Sequence, residues 1–355
     1  MNYHLSMVSP FAPWAYVSYL SDVFNRQNDA GYMNGHQNRR EAIEIVRVLN
    51  SSGYNVLVHN FSSPGRLPCL PVKLVFGLEP NFNRASAKYP SAKKIYYATG
   101  AHYRHQNSQV IKMTDYVNEK YGASIPYRRL VPEHNSYDIA DEILQIGSKY
   151  TIETYDESQK NKITIIHQST QAVCIVKSLD YSVENQYFFM ASSGNMLKGL
   201  PLVFEYFISH PALTVNIVGP IEDDYYALMK SKLTPNIHFY GFLDVRSDKM
   251  AEIMSRCNFL IYPSGSEGGC PGAVLNSMKN GLIPIVTRWA AFDEIEEYGF
   301  LMETWNVESL EAGVDWSRSL RWEEICSLKS KCVNFVSNTY SLKKFSNEFK
   351  RFIDG

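Results

Sequence analysis

The sequence lacks the features that mark several specialised protein classes. Its six cysteines, at 69, 174, 257, 270, 326 and 332, form no CxxC pair, and several lie in apolar runs. Such spacing argues against a zinc site or a disulfide framework and for reduced thiols. Charge of one sign is missing as well: 35 Lys and Arg stand against 36 Asp and Glu, a formal net charge of −1. With no global basic field, nucleic acid is not expected as a partner. No apolar run nears the roughly 20 residues that span a bilayer, and no basic stretch followed by an apolar core opens the chain as a signal peptide would. A cytoplasmic protein is expected, and peripheral contact at the inner face of a membrane stays compatible with these absences. Internal repeats and low-complexity segments are absent too.

What is present is a globular composition, 45% hydrophobic and 20% charged with 24 Tyr and 18 Phe, over 355 residues. That length exceeds one ordinary core and suggests two domains. In the first half, an apolar stretch Ala15 to Leu20 precedes a polar loop with Gly31, Asn34, Gly35 and His36. Ala42, Ile45, Val46 and Leu49 then recur at helical spacing, with Gly53 as a stop. Strands are expected at Asn55–Asn60, Lys73–Leu78 and Lys94–Ala98, and a helix around Val110–Tyr121. Arg129–Val131 and Glu142–Gly147 are read as further elements. Periodicity weakens over 155–185, which places a domain boundary near residue 172. Beyond it, strands are expected at Tyr187–Ala191, Leu213–Val218, Ile237–Tyr240, Phe259–Tyr262 and Ile283–Val286. Helices at Leu200–Ser209, Asp224–Lys232, Lys249–Cys257 and Ala273–Asn280 alternate with them, the order of right-handed βαβ crossovers and a parallel sheet. The tail carries Tyr340, Phe345, Phe349 and Phe352 at helical spacing. The expected organisation is α/β, with residues 1–171 and 172–337 as two Rossmann-like domains and 338–355 as a terminal helix.

Four clusters are candidates for chemistry. Gly194-Asn195-Met196-Leu197-Lys198-Gly199-Leu200 sits between a strand and a helix, where Lys198 can pair with phosphate and nearby backbone N–H groups can share the charge; a solvated lysine in a turn is the plainer alternative. Ser264 to Gly272 is a glycine-rich loop between strand and helix. Its glycines, Gly268, Gly269 and Gly272, allow close approach of a ligand. Glu267 in that loop can accept sugar hydroxyls, or simply cap the next helix. Lys198 and Glu267 lie on neighbouring βα units, so both reach the same carboxyl edge of the sheet, where ligands bind in open α/β folds. The third cluster, Thr99-Gly100-Ala101-His102 with Arg104 and His105, ends a first-domain strand. His102 there could hydrogen-bond a substrate or move a proton, or be structural. The fourth, Asn34 to Asn38, is placed to line the same cleft or to form only a polar turn.

Together these residues resemble a GT-B glycosyltransferase, most similar to the retaining family 4 type, well over 186–302 and more weakly over 31–147. The resemblance implies two Rossmann-like domains facing across a cleft, with the C-terminal helix crossing back to the first. It implies that Lys198 of the KGL loop binds the donor phosphate, that Glu267 binds the donor sugar, and that Gly272, Ala273 and Val274 face the diphosphate. It also sets Gly194, Gly268 and Gly269 around the donor, matches Gly35 to the N-terminal glycine loop, and puts His102 near the transferred sugar. Tyr240-Gly241 fits the pattern as well. The implied reaction moves a sugar from a nucleoside-diphosphate sugar to a hydroxyl of a glycan or lipid-linked glycan, by front-face attack with retention and without a metal or resident cofactor.

Two positions depart from the family pattern. A second, ribose-binding glutamate is expected eight residues after the first; position 275 is Leu, and with one inserted residue the equivalent is Asn276. An arginine several residues before the lysine is also absent, since Ala191-Ser192-Ser193 holds no cation, leaving Arg288 or Arg104 as stand-ins. These departures motivate a rival, a GT-B-shaped protein that binds a nucleotide-sugar or glycan without transfer. An epimerase acting by elimination would need clustered carboxylates, of which only Glu267 is evident.

Overall fold

The computed structural model describes residues 3–171 and 186–355. Its first sheet contains β1 (Tyr3–Ser6), β2 (Trp14–Tyr19), β3 (Asn55–Asn60), β4 (Val72–Gly77), β5 (Lys93–Ala98), β6 (Glu142–Ile146) and β7 (Ile163–Ile166), in the spatial order β1-β3-β2-β4-β5-β6-β7. Only β1 runs antiparallel, along the edge beside β3; the other pairings are parallel. Central strands such as β2 and β3 are buried on both faces, which is why they read as continuous apolar runs and not as alternation.

The second sheet is wholly parallel. It holds β8 (Gln186–Met190), β9 (Thr214–Val218), β10 (Ile237–Phe239), β11 (Phe259–Tyr262), β12 (Ile283–Thr287) and β13 (Phe300–Met302), ordered β10-β9-β8-β11-β12-β13. In each sheet the strand order reverses once: around β2, flanked by β3 and β4, and around β8, flanked by β9 and β11. Such reversals open a crevice at the carboxyl ends of the strands. The chain thus forms two Rossmann-like domains.

The last helix, Leu342–Asp354, returns to the first domain, as expected. Phe345 and Phe349 are fully buried in that domain's core, and the Phe349 ring lies 5.3 Å from Phe76. Arg47 of the helix Gln37–Ser51 donates to Ser346 at 2.7 Å, and Glu348 accepts from the backbone N–H of His167 at 3.0 Å. The helix Trp322–Thr339 runs through the junction expected at 337/338, so the chain turns back only after Tyr340. The boundary expected near residue 172 lies outside the described residues.

Several elements differ from expectation for identifiable reasons. The helix read from Val110 begins at Tyr103, because its first turns are polar and carry no apolar period. Arg129–Val131 is loop, with Arg129 in the left-handed region at φ 65°. β7 was hidden by the polar residues around it, and the helix Asn81–Lys88 shows too short an apolar pattern to be read.

Candidate active site

A cleft of about 640 Å³ lies between the two sheets, lined from both domains. Tyr19 and Tyr262 end β2 and β11, Leu78 and Thr99 follow β4 and β5, and Ala191 and Ser192 follow β8. The start of the helix Gln37–Ser51 adds its N-cap His36 and Gln37, Asn38 and Glu41. Gly35 itself does not line the cleft; it sits beside Arg39 and the Tyr32 carbonyl, just before the residues that do.

Lys198 and Glu267 both line the cleft and meet there as an ion pair. Lys198 is 5% exposed. The same carboxylate oxygen of Glu267 accepts from Ser264 Oγ at 2.8 Å and Tyr262 Oη at 3.1 Å. Burial pulls the Lys198 ammonium below its usual range; Glu267 opposes this, and the Arg129 charge adds to it. Lys198 is therefore no solvated turn residue. Gly199 makes the arrangement fit: at φ 75° it lets the lysine loop pass against the Pro263 carbonyl, where a Cβ would come within 1.9 Å. Glu267 does not cap the following helix, Gly272–Lys279, which has Pro271 at its N-cap and no side-chain cap. Pro271, Gly272 and Ala273 at that N-terminus face the cleft, a geometry that favours an anion.

Asn276, one turn further, lines the cleft and is 5% exposed. Its amide donates to Gln171 Oε1 at 2.5 Å, while its own Oδ1 is among the buried polar atoms without a partner. An open buried acceptor in a cleft suits a ligand hydroxyl, since leaving it unmade is costly. Val274 does not share this exposure: it is fully buried in the second-domain core.

Three sequence expectations are changed or extended at this point. First, the glycines after Glu267, Gly268 and Gly269, line the cleft and also serve domain contact. A Cβ on Gly268 would lie 2.3 Å from the Thr99 carbonyl oxygen, and one on Gly269 2.7 Å from Gly147 Cα. The loop thus packs directly against the ends of β5 and β6. Second, the backbone N–H of Gly194 donates to Glu222 Oε1 at 2.6 Å, so it is already engaged, and Gly194 does not line the cleft. Third, His102 does not join Lys198 and Glu267. It caps the helix Tyr103–Tyr121 through its Nδ1, is 3% exposed, and stacks on Tyr137 and Tyr103 at 4.5 and 4.8 Å. Its ring borders a separate pocket of about 330 Å³ with Glu133, His134 and Asp156. Burial holds it down to about 4, so it is neutral at pH 7. His105, one turn on, instead bonds the Gly265 carbonyl at 3.1 Å and ties the domains together.

Sequence reading had Gln37 among its cleft candidates but missed Glu41, Gln168, Gln171 and Arg129, all cleft residues. Polar residues on an amphipathic helix or in a loop give no signal until tertiary contacts gather them. Glu41 is 2% exposed and accepts from Ser169 N and Oγ at 2.5 and 2.7 Å. Burial raises its carboxyl to about 7, with Ser169 and Arg40 opposing; Tyr19 and Tyr97 are its other titratable neighbours. The folded protein then keeps a proton between about pH 4.5 and 7 that the unfolded chain has lost. This stabilisation is full below the unfolded value and fades as pH rises through the folded one. Glu41→Gln should remove that fall; denaturant unfolding at pH 5 and 7.5 checks it, and an unchanged difference between the two would contradict the assignment.

Residues 190–316 match the family model for glycosyl transferases group 1. No curated protein matches by sequence. Among solved structures, the fold is similar to HepE of Anabaena in complex with UDP-glucose (TM-score 0.56, 10% identity, covering 97% of this chain and 100% of that one). It is similar to the lipopolysaccharide outer core galactosyltransferase WaaB (TM-score 0.57, 12% identity, 97% and 100%). TarM aligns over 79% of this chain at 13% identity and TM-score 0.54, and this chain spans 54% of TarM. At these identities the structures speak for fold. The matched segment covers the end of β8, the Lys198 loop, the Glu267 loop and the helix after it. Over residues 190–316 the chain is similar to glycosyl transferases group 1, and its two-domain fold over nearly the whole chain is the GT-B fold of HepE and WaaB.

Proposed function

We propose that the cleft transfers a sugar, a hexose in the first instance, from a nucleoside-diphosphate sugar to a hydroxyl of a glycan or lipid-linked glycan, as in polysaccharide assembly. The observation that carries this is the buried Lys198–Glu267 pair beside an uncapped helix N-terminus. In this reading the donor diphosphate draws Lys198 onto its oxygens and rests on the N–H groups of Gly272 and Ala273. Glu267, released from part of its partnership, accepts hydroxyls of the donor sugar. Asn276 Oδ1 takes a ribose hydroxyl in place of a carboxylate. The bond from the anomeric carbon to the phosphate oxygen breaks with its electron pair on the diphosphate, while the acceptor oxygen bonds the same carbon. Its proton passes to the leaving phosphate from the same face, which retains configuration and asks no nucleophile of the protein. Fixed positive groups in a closed cleft suit the charge that develops on the leaving group, so the reading involves no metal. His102, away from the cleft, is left a structural part. Among the described residues no helix is long and apolar enough to cross a membrane; action at the cytoplasmic face, on a lipid-linked acceptor, belongs to the proposal.

A thermal-shift panel of UDP-, GDP-, ADP-, CMP- and dTDP-sugars tests the reading, because a ligand that binds the native state raises its apparent stability. One donor should stabilise the protein selectively. No shift with any of them would overturn the proposal, and donor binding with neither transfer nor donor hydrolysis would favour the binding-protein alternative.

Phe242 gives a sharper check. It is 83% exposed yet lines the cleft beside Leu243 and Pro220, and Gly241 at φ 62° turns the chain there. An exposed ring at the edge of the cleft suits stacking on a base, worth about 1–3 kcal/mol. Phe242→Ala should weaken nucleoside diphosphates about five- to hundredfold on that scale while sparing inorganic pyrophosphate. Equal loss for both, measured by calorimetry, would remove the base from this position.

A further inference from the structure

The second domain has no cation in Ala191-Ser192-Ser193, on the strand end just before the Lys198 loop. Neither stand-in considered from sequence fills the gap: Arg104 pairs with Asp156 at 3.4 Å and Arg288 with Glu153 at 3.5 Å, and neither lines the cleft. Arg129, from the first domain, does line it. Its guanidinium donates to the Ser193 carbonyl at 2.9 Å, directly over the cation-free stretch. Gly194 makes room for its stem, since a Cβ there would fall 2.1 Å from Arg129 Cδ. Among the described residues Arg129 is the one non-glycine residue with positive φ, 65°. Such a conformation persists only where the surroundings hold it, and it gathers at functional sites.

The surroundings hold it firmly. Gln106 donates to the Arg129 carbonyl at 2.8 Å, and Asn107 bonds both the N–H and the carbonyl of Val131, at 2.8 and 2.9 Å. Next door, Arg128 makes a two-pronged pair with Asp224 of the second domain, at 2.7 and 3.1 Å. The loop is therefore clamped to both domains, with Arg128 fixing it and Arg129 left to project over the cleft. Glu222, the nearby carboxylate, is occupied with the N–H groups of Gly194 and Asn195. Arg129 is exposed, bonded to a neutral carbonyl and set where Lys198 feels its charge.

Resting on the reading of the cleft as a nucleotide-sugar site, we infer that Arg129 supplies, across the domain interface, the second cation that binds the donor diphosphate. An arginine fork matches two phosphate oxygens at once.

The test compares UDP with UMP, GDP with GMP and ADP with AMP by calorimetry on the full chain, using wild type, Arg129→Ala, Arg129→Lys and Arg128→Ala. Wild type should prefer one diphosphate over its monophosphate. Arg129→Ala should lose about ten- to hundredfold in diphosphate affinity, the range for a hydrogen bond to a charged group, with the monophosphate nearly unaffected. Arg129→Lys should recover part of the loss. Arg128→Ala, which loosens the clamp but removes no cleft cation, should weaken the diphosphate preference less than Arg129→Ala does. Arg129→Ala with the wild-type preference intact overturns this inference alone. Wild type that binds no nucleoside diphosphate overturns the nucleotide-sugar reading, and the role of Arg129 with it.

Discussion

Replacing Lys198 with alanine is expected to lower turnover about hundred- to thousandfold, the usual loss when one fixed donor to a developing oxyanion is removed. It is also expected to destabilise the fold. From sequence, a lysine in a turn reads as removable without consequence for folding. In the structure it is buried against Glu267, whose remaining partners, Tyr262 and Ser264, are neutral hydroxyls. Removing one member of a buried pair leaves the other charge uncompensated, at about 3–5 kcal/mol. The two losses can be separated. Lys198→Met combined with Glu267→Gln takes away both charges and keeps the volume, so the melting temperature should recover while transfer does not. Near-normal turnover by Lys198→Ala on its true donor would sink the assignment of this cleft. A double variant no more stable than the single one would show that the pair is not what destabilises it.

The second large effect is expected at Gly199, which touches no ligand in any of these readings. An alanine there must hold φ 75° and place its Cβ 1.9 Å from the Pro263 carbonyl oxygen. Backbone cannot yield as a side-chain tip can. Left-handed strain of about 1–2 kcal/mol and overpacking of about 1–3 kcal/mol point to a total near 2–5 kcal/mol. The site should suffer with the fold. Gly265 N donates to the Leu197 carbonyl at 2.8 Å, and Ser264 Oγ to the same oxygen at 3.2 Å, so these contacts hold the lysine loop and the glutamate loop in register. Gly53→Ala is the control: it shares the positive φ, at 87°, with nothing within 4 Å of the added carbon. It should lose only the strain. Thermal unfolding of the two variants side by side decides the matter, and equal losses would assign the whole effect to φ.

How legible the site was depended on the kind of residue. Strands β8, β9, β11 and β12 were apparent because a parallel sheet buried on both faces needs unbroken apolar runs. The helix Leu200–Ser209 was read to its observed ends. β13 and the long helix Trp322–Thr339 were not, the first being three residues long and the second carrying charges throughout its exposed face. Lys198 and Glu267 stood out since each lies between a strand and a helix, where chain order alone predicts the sheet edge. His102 stood out for the same reason, and there the inference failed. Its position at the end of β5 was right, but the ring turned into the aromatic cluster of Tyr103 and Tyr137, away from the cleft.

The sequence by itself thus determined the two-domain α/β order and the two βα loops of the second domain that meet at one sheet edge. Both follow from local pattern: the apolar period within each element, and glycines at turns that only a few backbone conformations allow. Tertiary structure alone decided what those loops face. The glycines around 268 abut the first domain, Lys198 is buried against Glu267, and the cation missing from 191–193 is met by Arg129. Between Arg129 and Lys198 lie 68 intervening positions and a change of domain. No spacing rule spans that distance. Only the packing of the two domains against each other brings the charges together, through contacts such as Gly268 on Thr99 and Gly269 on Gly147 that join residues far apart in the chain, which no local pattern of residues records.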